Sequence, residues 1–276
     1  MREINTSQIK QAVSDLCQKS SYTLADGVMD LLRGALKNEE SKTGKEIITQ
    51  IIGNAEIAQK EKLPLCQDTG IAVVFIEIGQ EAIIVGGEIK EAVNEGVSQG
   101  YKNLRKSVVL NPIDRINTKD NTPAIIHEEI VDGYNIKIGI LPKGGGAENM
   151  SAIKMFLPTA KKEDLIKFIV ETVVSNGAKA CPPLILGIGI GGTFDYAAYL
   201  AKKALTRKIG AKNKDTVELE KEILSQVNKT GLGPMGLGGR VTALAVHIET
   251  HPCHITSLPV AINFECHAHR YQEIIL

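Results

Sequence analysis

Apolar side chains recur at mixed spacings of three and four through the N-terminal part of the chain. Ile9, Val13, Leu16 and Cys17 make one stripe, Leu24, Val28, Leu31, Leu32 and Leu36 a second, and Ile47, Ile48, Ile51, Ile52, Ala55 and Ala58 a third. Such stripes predict amphipathic helices over 7–20, 23–37 and 42–60. Ser21 and Thr23 can cap between the first two, and Pro64 stops the third. The pattern changes at Ile71-Ala72-Val73-Val74-Phe75-Ile76, a continuous apolar run that predicts a buried strand over 71–78. Ile83 to Val85 form a short extended piece, and helical character returns over 88–101.

Pro123 opens a strand over 124–131, and Tyr134-Asn135-Ile136-Lys137-Ile138-Gly139-Ile140-Leu141 alternates cleanly. Asp132-Gly133 between them predicts a hairpin turn joining the two. Leu165, Phe168, Ile169 and Val173 predict a helix over 161–175. A strand from 184 runs into glycines and a helix through about 206. A helix over 217–229 and strands over 241–248 and 258–264 complete the pattern. The predicted class is α/β, a mixed fold with helices at the N-terminus and strands whose ends converge on one site. Without a repeat, low-complexity tract or Pro/Ser-rich linker, residues 1–276 read as a single domain.

With 276 residues and 43% hydrophobic side chains, the chain can bury a sizeable core and reads as soluble and globular. Its 32 basic and 32 acidic residues cancel, so nothing favours nucleic acid or an anionic membrane as partner. No apolar run reaches the ~18 residues of a membrane span, and Met1-Arg2-Glu3-Ile4-Asn5-Thr6 lacks a signal-like core, which predicts a cytoplasmic location. Glycine is clustered. Lys143-Gly144-Gly145-Gly146 exposes backbone N–H groups that suit an anion, although flexible-loop duty is the commoner use. The stretch Gly187 to Thr193 looks like a nucleotide loop but lacks the Lys-Ser/Thr of a phosphate-binding loop and the acidic residue of a dinucleotide fold.

Three of the five cysteines sit at marked edges or beside polar groups. Cys66 lies in Lys62-Leu63-Pro64-Leu65-Cys66-Gln67-Asp68-Thr69-Gly70, at the mouth of the buried strand, where a bend can hold reactive groups beside a rigid element. Cys181 precedes Pro182-Pro183, and Cys266 lies in Asn263-Phe264-Glu265-Cys266-His267-Ala268-His269-Arg270. A free cysteine is most often a small buried hydrophobe, and Cys17 on its apolar stripe reads as one. An odd, scattered set in a chain of this size argues against a disulfide framework. The separations, 115 positions from Cys66 to Cys181 and 85 from Cys181 to Cys266, do not suit the close ligand pairs of structural zinc. Three distant thiolates could instead hold three irons of a 4Fe-4S cluster and leave the fourth open as a Lewis acid. On spacing alone, the buried-thiol reading stands beside it.

Several segments, in order, resemble the alpha subunit of class I fumarate hydratase: Leu65 to Gly70, Asn103-Leu104-Arg105, Asn117 to Pro123, Lys143 to Gly146, Cys181-Pro182-Pro183 with Gly187 to Thr193, Gly233-Pro234-Met235-Gly236, and Ser257 to Cys266. The likeness covers most of the chain after about residue 45. It implies an oxygen-sensitive 4Fe-4S hydro-lyase of the tricarboxylic acid cycle, hydrating fumarate to L-malate, with Cys66, Cys181 and Cys266 as cluster ligands. Cys253, beside His254, competes for the third place; Cys266 matches the thiol after the Leu-Pro-Val strand. The resemblance puts Gln67, Asp68, Arg105, Gly145 and His254 around the substrate. Asp68 is then the acid at the departing oxygen, and Arg105 the carboxylate clamp. Without the resemblance, Asp68 reads as a turn cap and Arg105 as a solvated cation.

Single-chain members of that family continue into a second domain supplying the base and further cations. The resemblance therefore implies a separate beta subunit, in a heterotetramer. The alpha subunit of L-tartrate dehydratase, converting tartrate to oxaloacetate, is similar in the same motifs. A non-catalytic iron-sulfur carrier or sensor is the alternative of another class; it would have no use for carboxylate receptors such as Arg105 and Lys143.

Overall fold

The computed structural model describes residues 2–276. In chain order the elements are β1 (Arg2–Asn5), α1 (Thr6–Tyr22), α2 (Val28–Asn38), α3 (Lys42–Glu61), β2 (Ile71–Gly79), β3 (Ala82–Val85), α4 (Ile89–Gly100), β4 (Ile125–Val131), β5 (Ile136–Lys143), α5 (Gly145–Glu148), β6 (Ala152–Phe156), α6 (Lys162–Asn176), β7 (Leu184–Gly191), α7 (Phe194–Ala204), α8 (Val217–Asn228), β8 (Ala243–His251), β9 (Leu258–Glu265) and β10 (Gln272–Ile275). Among the described residues this makes eight α-helices and three sheets, the mixed α/β class read from the sequence. No helix among them is long and apolar enough to cross a membrane.

The first two helices start in different ways. Asn5 accepts the Ser7 N–H at 2.9 Å while the Gln8 side chain accepts the Asn5 N–H at 3.0 Å, a reciprocal cap on α1. Helix α2 begins later than its apolar stripe, because Gly27 takes a left-handed φ of 86° ahead of it.

The chain falls into two compact units. The first comprises Met1–Ala25, Ala55–Gly145 and Arg270–Leu276; the second comprises Asp26–Asn54 and Gly146–His269. The first unit carries the two-stranded pair β1-β3 and a four-stranded sheet in the order β10-β5-β2-β4. Ile9, Val13 and Leu16 of α1 and Val93 and Val97 of α4 pack with Val74, Ile76, Ile138 and Ile140 of the sheet. Cys17 belongs to this core, and burial pushes its thiol well up from the ordinary range.

The expected hairpin of β4 and β5 does not form. Strand β2 lies between them, parallel to β4 and antiparallel to β5. The Asp132-Gly133 turn instead wraps the end of β2, accepting the N–H of Gln80 at Val131 O and of Glu81 at Gly133 O. A strand whose side chains are largely buried along its length belongs in the middle of a sheet, and β2 is the most continuously apolar of the four.

In the second unit the order is β6-β9-β7-β8, with β7 parallel to β8 and β9 antiparallel to both β6 and β7. Leu165, Ile169 and Val173 of α6 and Ile223 and Val227 of α8 pack with Leu186 and Ile188 of β7 and Ile262 and Phe264 of β9. Ala197 and Ala201 of α7 pack with Ala261 of β9 in a smaller separate cluster. The glycines of β7 serve packing: a Cβ at Gly187 would meet Ala201 O at 2.1 Å, and one at Gly189 would meet Ala197 O at 2.1 Å.

Candidate functional site

Strand register in the first unit gathers the predicted polar groups. Strands β2 and β4 start at the same end of the sheet (Val73 opposite Ile125), where β5 finishes (Ile71 opposite Lys143) and β10 begins (Gln272 opposite Ile140). The segments just outside those ends are 62–70, 117–124, 143–145 and Arg270. Gly70, with φ of 76°, lies so close to β5 that a Cβ there would meet Lys143 N at 2.8 Å, so only glycine lets the loop lie down at this point.

Asp68 is the centre of the resulting network. Its Oδ1 accepts the Gly70 N–H at 2.9 Å and the Ser107 hydroxyl at 3.2 Å; its Oδ2 accepts the Gly145 N–H at 2.8 Å. Its backbone carbonyl accepts from Arg270 Nη2 at 2.7 Å, and Arg270 is almost wholly buried. Thr69 Oγ1 donates to Arg105 O at 2.8 Å and stands 3.1 Å from Ser107 Oγ, while Tyr101 OH donates to Thr69 O at 3.0 Å. Burial raises the Tyr101 phenol far above its usual range, so this donor keeps its proton.

Of the predicted substrate groups, Asp68 and Gly145 therefore touch, and the Arg105 backbone belongs to the same network. The Gln67 and Arg105 side chains are exposed beside it. The Gly145 N–H, read as an anion donor, is taken by Asp68. Cys66 Sγ accepts the Asp68 N–H at 3.4 Å, the kind of donor a thiolate takes.

The second unit brings Cys181 and Cys266 together. Cys181 lies three residues before β7 and Cys266 directly follows β9, and Ile185 pairs with Glu265 across them. His267 N–H donates to Cys181 O at 3.3 Å. Both thiols are partly exposed, and none of the five cysteines is in a disulfide. Cys253 and His254 follow β8, whose last residue pairs with the last of β7. They lie at the other end of the sheet from Cys181, a separation of roughly 20 Å at about 3.3 Å per strand residue. His254 is exposed, with Nδ1 2.9 Å from Thr256 Oγ1.

Among the described residues, no group of three or more His, Cys, Asp or Glu is arranged to hold a metal ion. A single ion draws its donors to one point, whereas cluster thiolates each bind a separate iron. Thr69, Tyr101, Ser107, Asn121 and Arg270 were not read as site residues. Asn121 lies within the Asn117 to Pro123 motif, and Arg270 four residues past Cys266.

A family model described as "Fumarate hydratase (Fumerase)" matches residues 10–275. The chain belongs to the fumarate hydratase (Fumerase) family. It is 42% identical over 275 residues to a Methanocaldococcus jannaschii protein whose name, given provisionally, is L(+)-tartrate dehydratase subunit alpha, covering 95% of each chain. It is 31% identical over 283 residues to the L(+)-tartrate dehydratase subunit alpha of Escherichia coli K12 and to that of Shigella sonnei, covering 98% of this chain and 92% of theirs. The Fumerase match and these relatives make the chain a hydro-lyase, the class of hydratases and dehydratases alike.

Proposed function

We propose that this chain is the alpha subunit of an iron-sulfur hydro-lyase that adds or removes water on a small dicarboxylate. The observation that carries the reading is the Asp68 network. It links the carboxylate, the Gly145 amide and the Arg105–Ser107 segment in one constellation, in a chain matched to the family over nearly its full length. Arg105 is the carboxylate clamp and Gln67 a neutral partner beside it; His254 enters by resemblance of its segment alone.

Asp68 is the proton carrier. Thr69 Oγ1 gives its proton to Arg105 O, so the single proton of Ser107 can go either to Asp68 or to Thr69. In the first arrangement Asp68 is an anion. In the second, Ser107 Oγ accepts from a protonated Asp68, and the acid has a partner in both states.

The donor set suits a 4Fe-4S cluster: Cys66 with its N–H donor, and the paired Cys181 and Cys266, are partly exposed thiols outside any disulfide, unlike the buried Cys17. Bound there, the cluster would supply an iron without a protein ligand, a Lewis acid toward a hydroxyl and a carboxylate. The catalytic base and further cations come from a separate beta subunit, a reading supported by the subunit names of the relatives. Residues 1–276 act as one alpha-type catalytic domain in a cytoplasmic heterotetramer.

Two substrates fit this chemistry. Fumarate, hydrated to L-malate, follows from the motifs and the family description. L(+)-tartrate, dehydrated to oxaloacetate, is favoured by the names of the similar chains. The anaerobically reconstituted two-subunit complex, assayed with both acids, decides between them. Turnover of neither would end the proposal.

A further inference from the structure

Asn121 is fully buried, with a left-handed φ of 68° that asparagine tolerates better than most residues. Its planar amide has one accepting and one donating end, and both are used. Oδ1 accepts the Ser107 N–H at 2.6 Å, and Nδ2 donates to Gly70 O at 3.1 Å. One side chain thus ties the segment carrying Arg105 and Ser107 to the turn carrying Asp68. The neighbouring Thr122 N–H is held by Asp120 Oδ1 at 3.0 Å and Ala124 N–H by Asn94 Oδ1 at 2.9 Å, so Asn121 projects from a fixed stretch.

We infer that Asn121 is a positioning residue for the hydro-lyase reaction, setting the spacing between the Asp68 carboxylate and the Arg105 segment. The inference rests on the roles given to those two residues above. No other residue type offers this combination. Aspartate keeps the acceptor for Ser107 but turns an oxygen toward the Gly70 carbonyl. Glycine keeps the backbone conformation and loses both bonds, which separates hydrogen bonding from backbone strain.

The test uses the anaerobic two-subunit complex carrying Asn121→Gly, with Asn121→Asp as the second variant should the first not fold. Turnover should fall by about 100-fold, the scale of a ~1 Å misplacement of catalytic groups. KM should move far less, and iron and sulfide content should match wild type, which general loosening of the fold would not give. A crystal structure of the variant should place Ser107 beyond hydrogen-bond reach of Asp68. Wild-type turnover in the variants, or an undisturbed Ser107–Asp68 distance, overturns the inference. If the wild-type complex turns over neither acid, the proposed function fails, and the crystal structure still decides whether Asn121 sets the spacing.

Discussion

Glu39 in the second unit has its carboxylate turned to backbone. It accepts the N–H groups of Glu40, Ser41, Arg240 and Val241 while only 1% of the residue is exposed. Burial alone would raise its pKa; the backbone donors outweigh it and hold the carboxyl below the usual range. The stability it contributes is therefore complete above the ordinary carboxylate range and is lost as the pH falls through the lowered value. Glu39→Ala, which orphans these N–H groups, should cost about 2–4 kcal/mol in urea unfolding. His247 is a second buried titratable group. Burial, with Arg207 beside it, lowers its pKa from 6.5 to about 4. Its neutral form stabilises the fold fully above 6.5, and that contribution is lost between there and about 4. In His247→Asn the urea midpoint should fall less steeply across that interval than in wild type. Neither role was legible in the sequence, because two of the donors to Glu39, Arg240 and Val241, lie some two hundred positions away, and His247 on β8 meets Ala204 O at the end of α7.

At the level of elements, periodicity was a good guide wherever an element buries one face. The stripes of α1 and α3 and the apolar run of β2 are found within a residue or two of the expected bounds. What periodicity does not carry is which strands pair, and there the hairpin reading of Asp132-Gly133 failed: a turn signal fixes the reversal, while β2, with the longest continuous apolar run, took the place between β4 and β5. Strands β1, β6 and β10, of four or five residues each, are too short to impose a pattern. Within the glycine run after Pro183, Gly187 and Gly189 allow the close approach of α7 to β7. Gly189→Ala, forced against Ala197 O, should lower stability by about 1–3 kcal/mol, read from the midpoint of urea unfolding.

Over the whole molecule, the thiol reading yields a pattern across four of the five cysteines. Anaerobic iron and sulfide counts should collapse in Cys66→Ala, Cys181→Ala and Cys266→Ala, and stay at the wild-type level in Cys253→Ala, whose thiol sits at the opposite end of its sheet from Cys181. Loss of iron in Cys253→Ala with retention in Cys266→Ala would reverse that ligand choice. The candidate residues themselves were legible because their motifs are short and contiguous; the supports were not, because register brings them in from remote stretches. Arg270 is the extreme case, 202 positions from the Asp68 carbonyl it holds. During synthesis the Asp68 turn leaves the ribosome long before its last fastener does. A nascent chain must therefore keep β5 without its neighbour β10, and the turn half-secured, until residues 270–275 have emerged.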